Sequence, residues 1–216
     1  MLRKLNSMAD RSRVSGMQRY GINTQKALGI SVTELRGLAR ALGRDHDLAT
    51  ALWDSEIHEA RLLATMIDEP AQVTEAQMEA WVYDLDSWDV CDQLCGNLFD
   101  RTRFAFRKAV EWSARDDEFV KRAGFALMAW SAVHRKDAAD EQFEVFLPLI
   151  RSEATDDHIH NCPQQPLRQN REKIADGAVA AVGTRAAQEV VEEPAPRADG
   201  ENRVDHTLAQ PQLQPL

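Results

Sequence analysis

Apolar residues recur three and four positions apart through most of the first 158 residues, the period of helices that each bury one face. Ser31-Val-Thr-Glu34 has capping-box spacing and opens a helix with Leu35, Leu38, Ala39 and Leu42 on one side. Asp45 is placed to cap a short helix through Leu48, Leu52 and Trp53. Residues 56–68 turn Ile57, Leu62, Leu63, Met66 and Ile67 inward before Pro70. A second capping box, Thr74-Glu-Ala-Gln77, precedes Met78, Trp81 and Val82. Asp86 or Ser87 starts a helix through Val90, Leu94 and Leu98, and residues 103–115, 117–134 and 138–153 give three more. Within residues 1–158 nothing alternates with period two for long, and no Asn-Gly or Asp-Gly hairpin dipeptide occurs. The pattern predicts an all-α protein.

Helices of this length in successive pairs, joined by short turns, fit an α-solenoid of antiparallel HEAT-like pairs. A compact helical bundle is the competing architecture. The pattern stops near residue 158. All 5 Trp, 7 Phe and 2 Tyr lie at or before Phe146, and 6 of the 8 prolines follow Cys162. A segment so poor in apolar residues buries too little surface to offset its ordering entropy, so 159–216 is expected to be a largely disordered tail. One helix is favoured within it, around residues 172–191.

Composition then narrows the class. The chain has 216 residues, 44% hydrophobic and 28% charged, which describes an ordinary globular protein. Three cysteines make no disulfide framework, and no apolar run reaches the ~20 residues of a membrane span. A reduced, cytoplasmic setting is expected, with no membrane partner. The net charge of −9 is uneven: residues 1–50 carry +5 and residues 51–100 carry −11. A basic face on an acidic protein is therefore compatible with a nucleic-acid partner.

The most unusual segment is Asp86-Ser-Trp-Asp-Val-Cys-Asp-Gln93. On a helix Trp88 and Asp92 share a face one turn apart, with Asp89 nearby. An indole beside carboxylates suits a cationic ligand or a developing positive charge. The plainer alternative is a core Trp with two solvated aspartates near a helix start. Arg36, Arg40 and Arg44 repeat every four residues as a basic stripe, and Lys121-Arg122 is a further cluster. These groups would either follow a phosphate backbone or serve as solvated faces. Arg122 differs, because its helix otherwise reads as buried, and a buried Arg requires a partner or a ligand anion. Cys91 and Cys95 lack further metal ligands at matching spacing, and His58-Glu59 lacks the second His of a zinc-protease motif. No glycine-rich phosphate loop occurs, so neither a nucleotide nor any other cofactor is expected.

Three motifs in order, Ser55-Glu-Ile-His-Glu-Ala-Arg-Leu-Leu-Ala64, Ser87-Trp-Asp-Val-Cys-Asp-Gln93 and Phe119-Val-Lys-Arg-Ala-Gly-Phe-Ala-Leu-Met128, resemble the AlkD-like DNA alkylation repair proteins. The resemblance runs from about residue 19 to residue 154. It implies a HEAT-like solenoid whose basic face holds duplex DNA. It also implies monofunctional glycosylase activity on N3- and N7-alkylated purines, by a chain expected to be a monomer. By the same resemblance Asp92 and Trp88 fall on the catalytic pair, Arg122 on a phosphate-contacting Arg, and Tyr20 on an N-terminal aromatic near the lesion. Arg36, Arg40, Arg44 and Lys121 are the remaining expected DNA contacts. The pattern departs from the family after Asp157: the family's next helix carries another Trp, whereas here the chain reads His158-Ile-His-Asn-Cys-Pro-Gln-Gln-Pro166 and no Trp follows Trp130. Such a change resembles a shifted frame or a replaced terminus, and the alternative to a glycosylase is a helical-repeat module that binds DNA or protein without catalysis, its activity lost with that terminus.

Overall fold

The computed structural model describes residues 1–154. The expected tail, its helix around 172–191 and the domain limit at 158 lie outside the described residues. The helices are α1 (Leu2–Ser7), α2 (Arg11–Gln18), α3 (Val32–Leu42), α4 (His46–Trp53), α5 (His58–Ile67), α6 (Glu75–Tyr83), α7 (Trp88–Asn97), α8 (Ala105–Ser113), α9 (Glu118–His134), α10 (Glu141–Glu144) and α11 (Phe146–Ala154). A 3-10 turn, Phe99–Arg101, links α7 to α8. The described residues contain no strand, and none of their helices is long and apolar enough to cross a membrane.

The capping signals hold to different degrees. Ser31 and Glu34 form the complete reciprocal box at the start of α3. Asp45 caps α4 through the Leu48 amide. Thr74 accepts from the Gln77 amide, the forward half of a box. Ser87, rather than Asp86, is the residue that precedes α7. Two sequence expectations are corrected. The helix expected over 138–153 is broken at Val145 into α10 and α11, because Pro148 has no N–H for the Glu144 carbonyl and its ring crowds that carbonyl. The basic stripe also ends early: α3 stops at Leu42, so Arg44 leaves the helix and donates instead to the Met66 and Asp68 carbonyls.

A repeat emerges from side-chain pairing rather than from sequence identity. Thr65 pairs with Asn97, Glu75 with Arg107, Asp92 with Arg122 and Asp100 with His134, at separations of 30 to 34 residues. Each pair joins equivalent places on successive helical units, as a solenoid requires. Helices α5, α7 and α9 form one row. The Cys91 and Cys95 thiols of α7 donate to the Phe119 and Ala123 carbonyls of α9, both 28 residues on, so the two helices run parallel. Helices α4, α6 and α8 form the other row, tied by an aromatic spine. Trp53 stacks on Trp81 at 4.2 Å, and Trp81 reaches Phe99 and then Trp112. Buried Lys108 of α8 is held by Glu75 and Glu79 of α6 and by Glu111. A two-row stack of helical pairs is a HEAT-like solenoid, not a closed bundle.

Candidate functional site

The N-terminal halves of α5, α7 and α9 follow one another in the same row, so residues from their first two turns face one another. Asp92 of α7 and Arg122 of α9 form a two-pronged pair: Arg122 Nε to Asp92 Oδ1 at 3.0 Å and Nη2 to Oδ2 at 2.7 Å. Arg122 is 4% exposed, and its guanidinium lies 5.7 Å from the Trp88 ring centre. The partner that a buried Arg requires is therefore Asp92. Burial pushes the Asp92 carboxyl above the ordinary aspartate range, and Arg122 works against that shift without cancelling it.

Asp89 and His58 build the neighbouring position. His58 begins α5 and is 5% exposed; its Nε2 lies 2.9 Å from Asp89 Oδ2, off the line of an ideal hydrogen bond. Burial opposes the charge on each partner, yet the pair prevails, raising the imidazole and lowering the Asp89 carboxyl from their usual values. Neither Asp89 nor Asp92 is therefore a freely solvated helix-start carboxylate, and the plainer reading does not describe this pair.

The segment 20–30 straps the N-terminal part of the chain across these helices. The Trp88 indole N–H donates to the Tyr20 carbonyl at 2.9 Å, and Asn23 donates to Asp86. Lys26 pairs with Glu56, and the His58 amide donates to the Lys26 carbonyl. Fully buried Glu59 accepts the amides of Leu28, Gly29 and Ile30. Gly29 adopts φ +79° there, and a Cβ would collide with the Asp10 carbonyl, so no other residue fits this turn. An open cavity of about 270 Å³ beside the strap is lined by Asn23, Lys26, Glu56, His58, Arg61 and Asp86. Several of its charges are already paired with one another.

The sequence-predicted residues divide accordingly. Trp88, Asp92 and Arg122 converge. Tyr20 reaches the cluster through its backbone carbonyl while its side chain is exposed. Arg36 and Arg40 are exposed on α3, and Arg44 is bound to carbonyls of the next repeat. Lys121, adjacent to Arg122, turns to Glu153 at 3.4 Å. Cys91 and Cys95 are buried seam residues, and no metal-binding group of His, Cys, Asp or Glu forms among the described residues. Sequence reasoning missed the His58–Asp89 pair. The usable signal was their separation of 31 positions, close to one repeat.

A solved structure described as "a new family of proteins related to the HEAT-like repeat DNA glycosylases with affinity for branched DNA structures" superposes with a TM-score of 0.70 at 18% identity, covering 88% of this chain and 79% of that one. The fold is thus that of the HEAT-like repeat proteins related to DNA glycosylases. The family model for DNA alkylation repair enzymes matches residues 1–161, and the chain belongs to that family. No curated protein matches it.

Proposed function

We propose that this protein is a DNA glycosylase that removes cationic N3- or N7-alkylated purines from duplex DNA. The observation that carries the reading is the Asp92–Arg122 pair beneath the Trp88 indole, a carboxylate, a guanidinium and an aromatic ring gathered at one place. An N-alkylated purine already bears positive charge, so it departs as a neutral base without a general acid. Cleavage of the C1′–N bond leaves positive charge on the deoxyribose, which the Asp92 carboxylate opposes at close range. Water then adds to C1′, its proton passes to Asp92, and an abasic site remains. Trp88, held by Tyr20, offers its ring to the cationic sugar and lesion. In the resting protein Arg122 occupies both oxygens of Asp92, so a DNA phosphate that draws the guanidinium toward itself frees the carboxylate to act.

That resting pairing also favours a second reading, binding without base release. The structural neighbour's affinity for branched DNA belongs with it: this solenoid would hold branched DNA, with Asp92 serving only to fix Arg122. The experiment is base release from duplex DNA carrying 7-methylguanine by the full chain and by Asp92→Asn. The glycosylase reading expects release that falls at least a hundredfold in the variant while duplex affinity changes by less than about fivefold. Absence of release from folded protein that binds branched DNA would select the second reading.

A further inference from the structure

The face of α7 that carries Asp92 continues beyond it. Trp88, Asp92 and Gly96 follow at four-residue intervals and share one side of the helix. The Trp130 indole of α9 lies against Gly96 so closely that a Cβ there would sit 2.5–2.8 Å from its ring atoms. One turn further, fully buried Asp100 binds His134 Nδ1, and the His134 ring stacks on Trp130 with centres 5.2 Å apart. Asp92 therefore has one indole a turn before it and a second seated a turn after it.

The two indoles differ in what they have left to offer. Trp88 donates its N–H to Tyr20, as Trp53 does to Asp84 and Trp112 to Glu79. Among the described residues the Trp130 N–H has no acceptor, and its side chain is half-buried rather than enclosed. A helical glycine costs about 1 kcal/mol relative to alanine. Alanine at position 96 with a smaller apolar residue at 130 would close the same seam without that cost. The arrangement makes sense if the indole has a task at the surface.

We propose that Trp130 is a DNA-contacting residue. Its exposed edge packs on a deoxyribose and its N–H donates to a phosphate oxygen, one or two nucleotides along the strand from the one facing Asp92. The proposal rests on reading the site as a DNA site. Four helical residues separate Asp92 from Gly96, about 6 Å along the axis, against about 3.4 Å per nucleotide step. The Asp100–His134 pair behind the indole holds its ring in place.

The test uses the full chain and a fluorescein-labelled duplex carrying a stable abasic analogue, read by anisotropy. Trp130→Ala is expected to weaken binding roughly tenfold, the loss typical of one aromatic contact to nucleic acid. Gly96→Ala, which drives the ring off its seat, is expected to match it. Trp130→Phe retains most of the packing and loses the N–H, so its affinity should fall between. DNA should also quench less indole emission in Trp130→Phe than in the wild type, a signal that a purely structural Trp130 would not give. Wild-type affinity and undiminished quenching in Trp130→Phe would overturn the inference while leaving the proposed function intact. A wild-type chain that binds no DNA would overturn both.

Discussion

Asp92 is paired, mostly buried and raised in pKa by that burial, and the sign of its pH effect follows. Only the ionised carboxylate can oppose positive charge on the sugar and accept a proton from water. Base release is therefore expected to be complete above the raised pKa and to fall as pH drops through it, with a midpoint above the ordinary value of 3.8. A rate–pH profile on 7-methylguanine DNA checks this. A midpoint at or below 3.8, or an unchanged acid limb in Asp92→Asn, would separate the carboxylate from the reaction. At this scale the sequence was informative where chemistry was concentrated. A Trp and an Asp four apart, with an Arg inside an apolar helix, were visible as an oddity and resembled a known motif. What the sequence could not display was the partner of each charge. Arg122 finds Asp92 and His58 finds Asp89 across gaps of 30 and 31 positions, which only the stacking of repeats closes.

Local signals specified most helices, because capping and the 3.6 period are short-range. They failed where a distant carbonyl or a proline decided the outcome, as at Arg44 and Pro148. They also gave no notice of α1 and α2, whose apolar pattern is weak and of which only Leu5 is buried. Between α6 and α8 a single buried ammonium satisfies three carboxylates, and Lys108 is 2% exposed. Removing it leaves Glu79 without a cation beside Glu75 and Glu111, which keep Arg107 and Arg115. Lys108→Met is expected to destabilise the protein by about 2–3 kcal/mol, less than for a fully buried pair because the glutamates keep some solvent. Thermal melting should fall on the order of 5–10 °C. A melting temperature within a degree of wild type would mean that the cluster adds nothing to the packing of these helices.

Across the whole molecule charge is segregated, with the acidic surplus in residues 51–100 and the basic surplus in residues 1–50. Arg36 and Arg40 stand exposed on α3, available to phosphates. DNA affinity is expected to fall with added salt, and Arg36→Ala and Arg40→Ala should each reduce the slope of log K against log salt by about 1. Slopes identical to wild type would remove α3 from the DNA footprint. The solenoid itself was legible as a class but not in its register, since the repeats share spacing rather than residues.

Glu59 gives the strap a character of its own. One carboxylate without solvent contact gathers three consecutive amides, and the same strap supplies the carbonyl that orients Trp88. Glu59→Gln keeps the shape but offers one acceptor oxygen where there were two, leaving at least one amide facing an NH₂ group. Amide hydrogen exchange at residues 28–30 should then accelerate about tenfold to a hundredfold, with the cores of α7 and α9 unchanged. Exchange that stays slow at those three amides would show the strap to be fastened elsewhere. That exchange pattern would make the strap a separately meltable unit, so that opening one turn of chain alters access to the site while the solenoid stays folded.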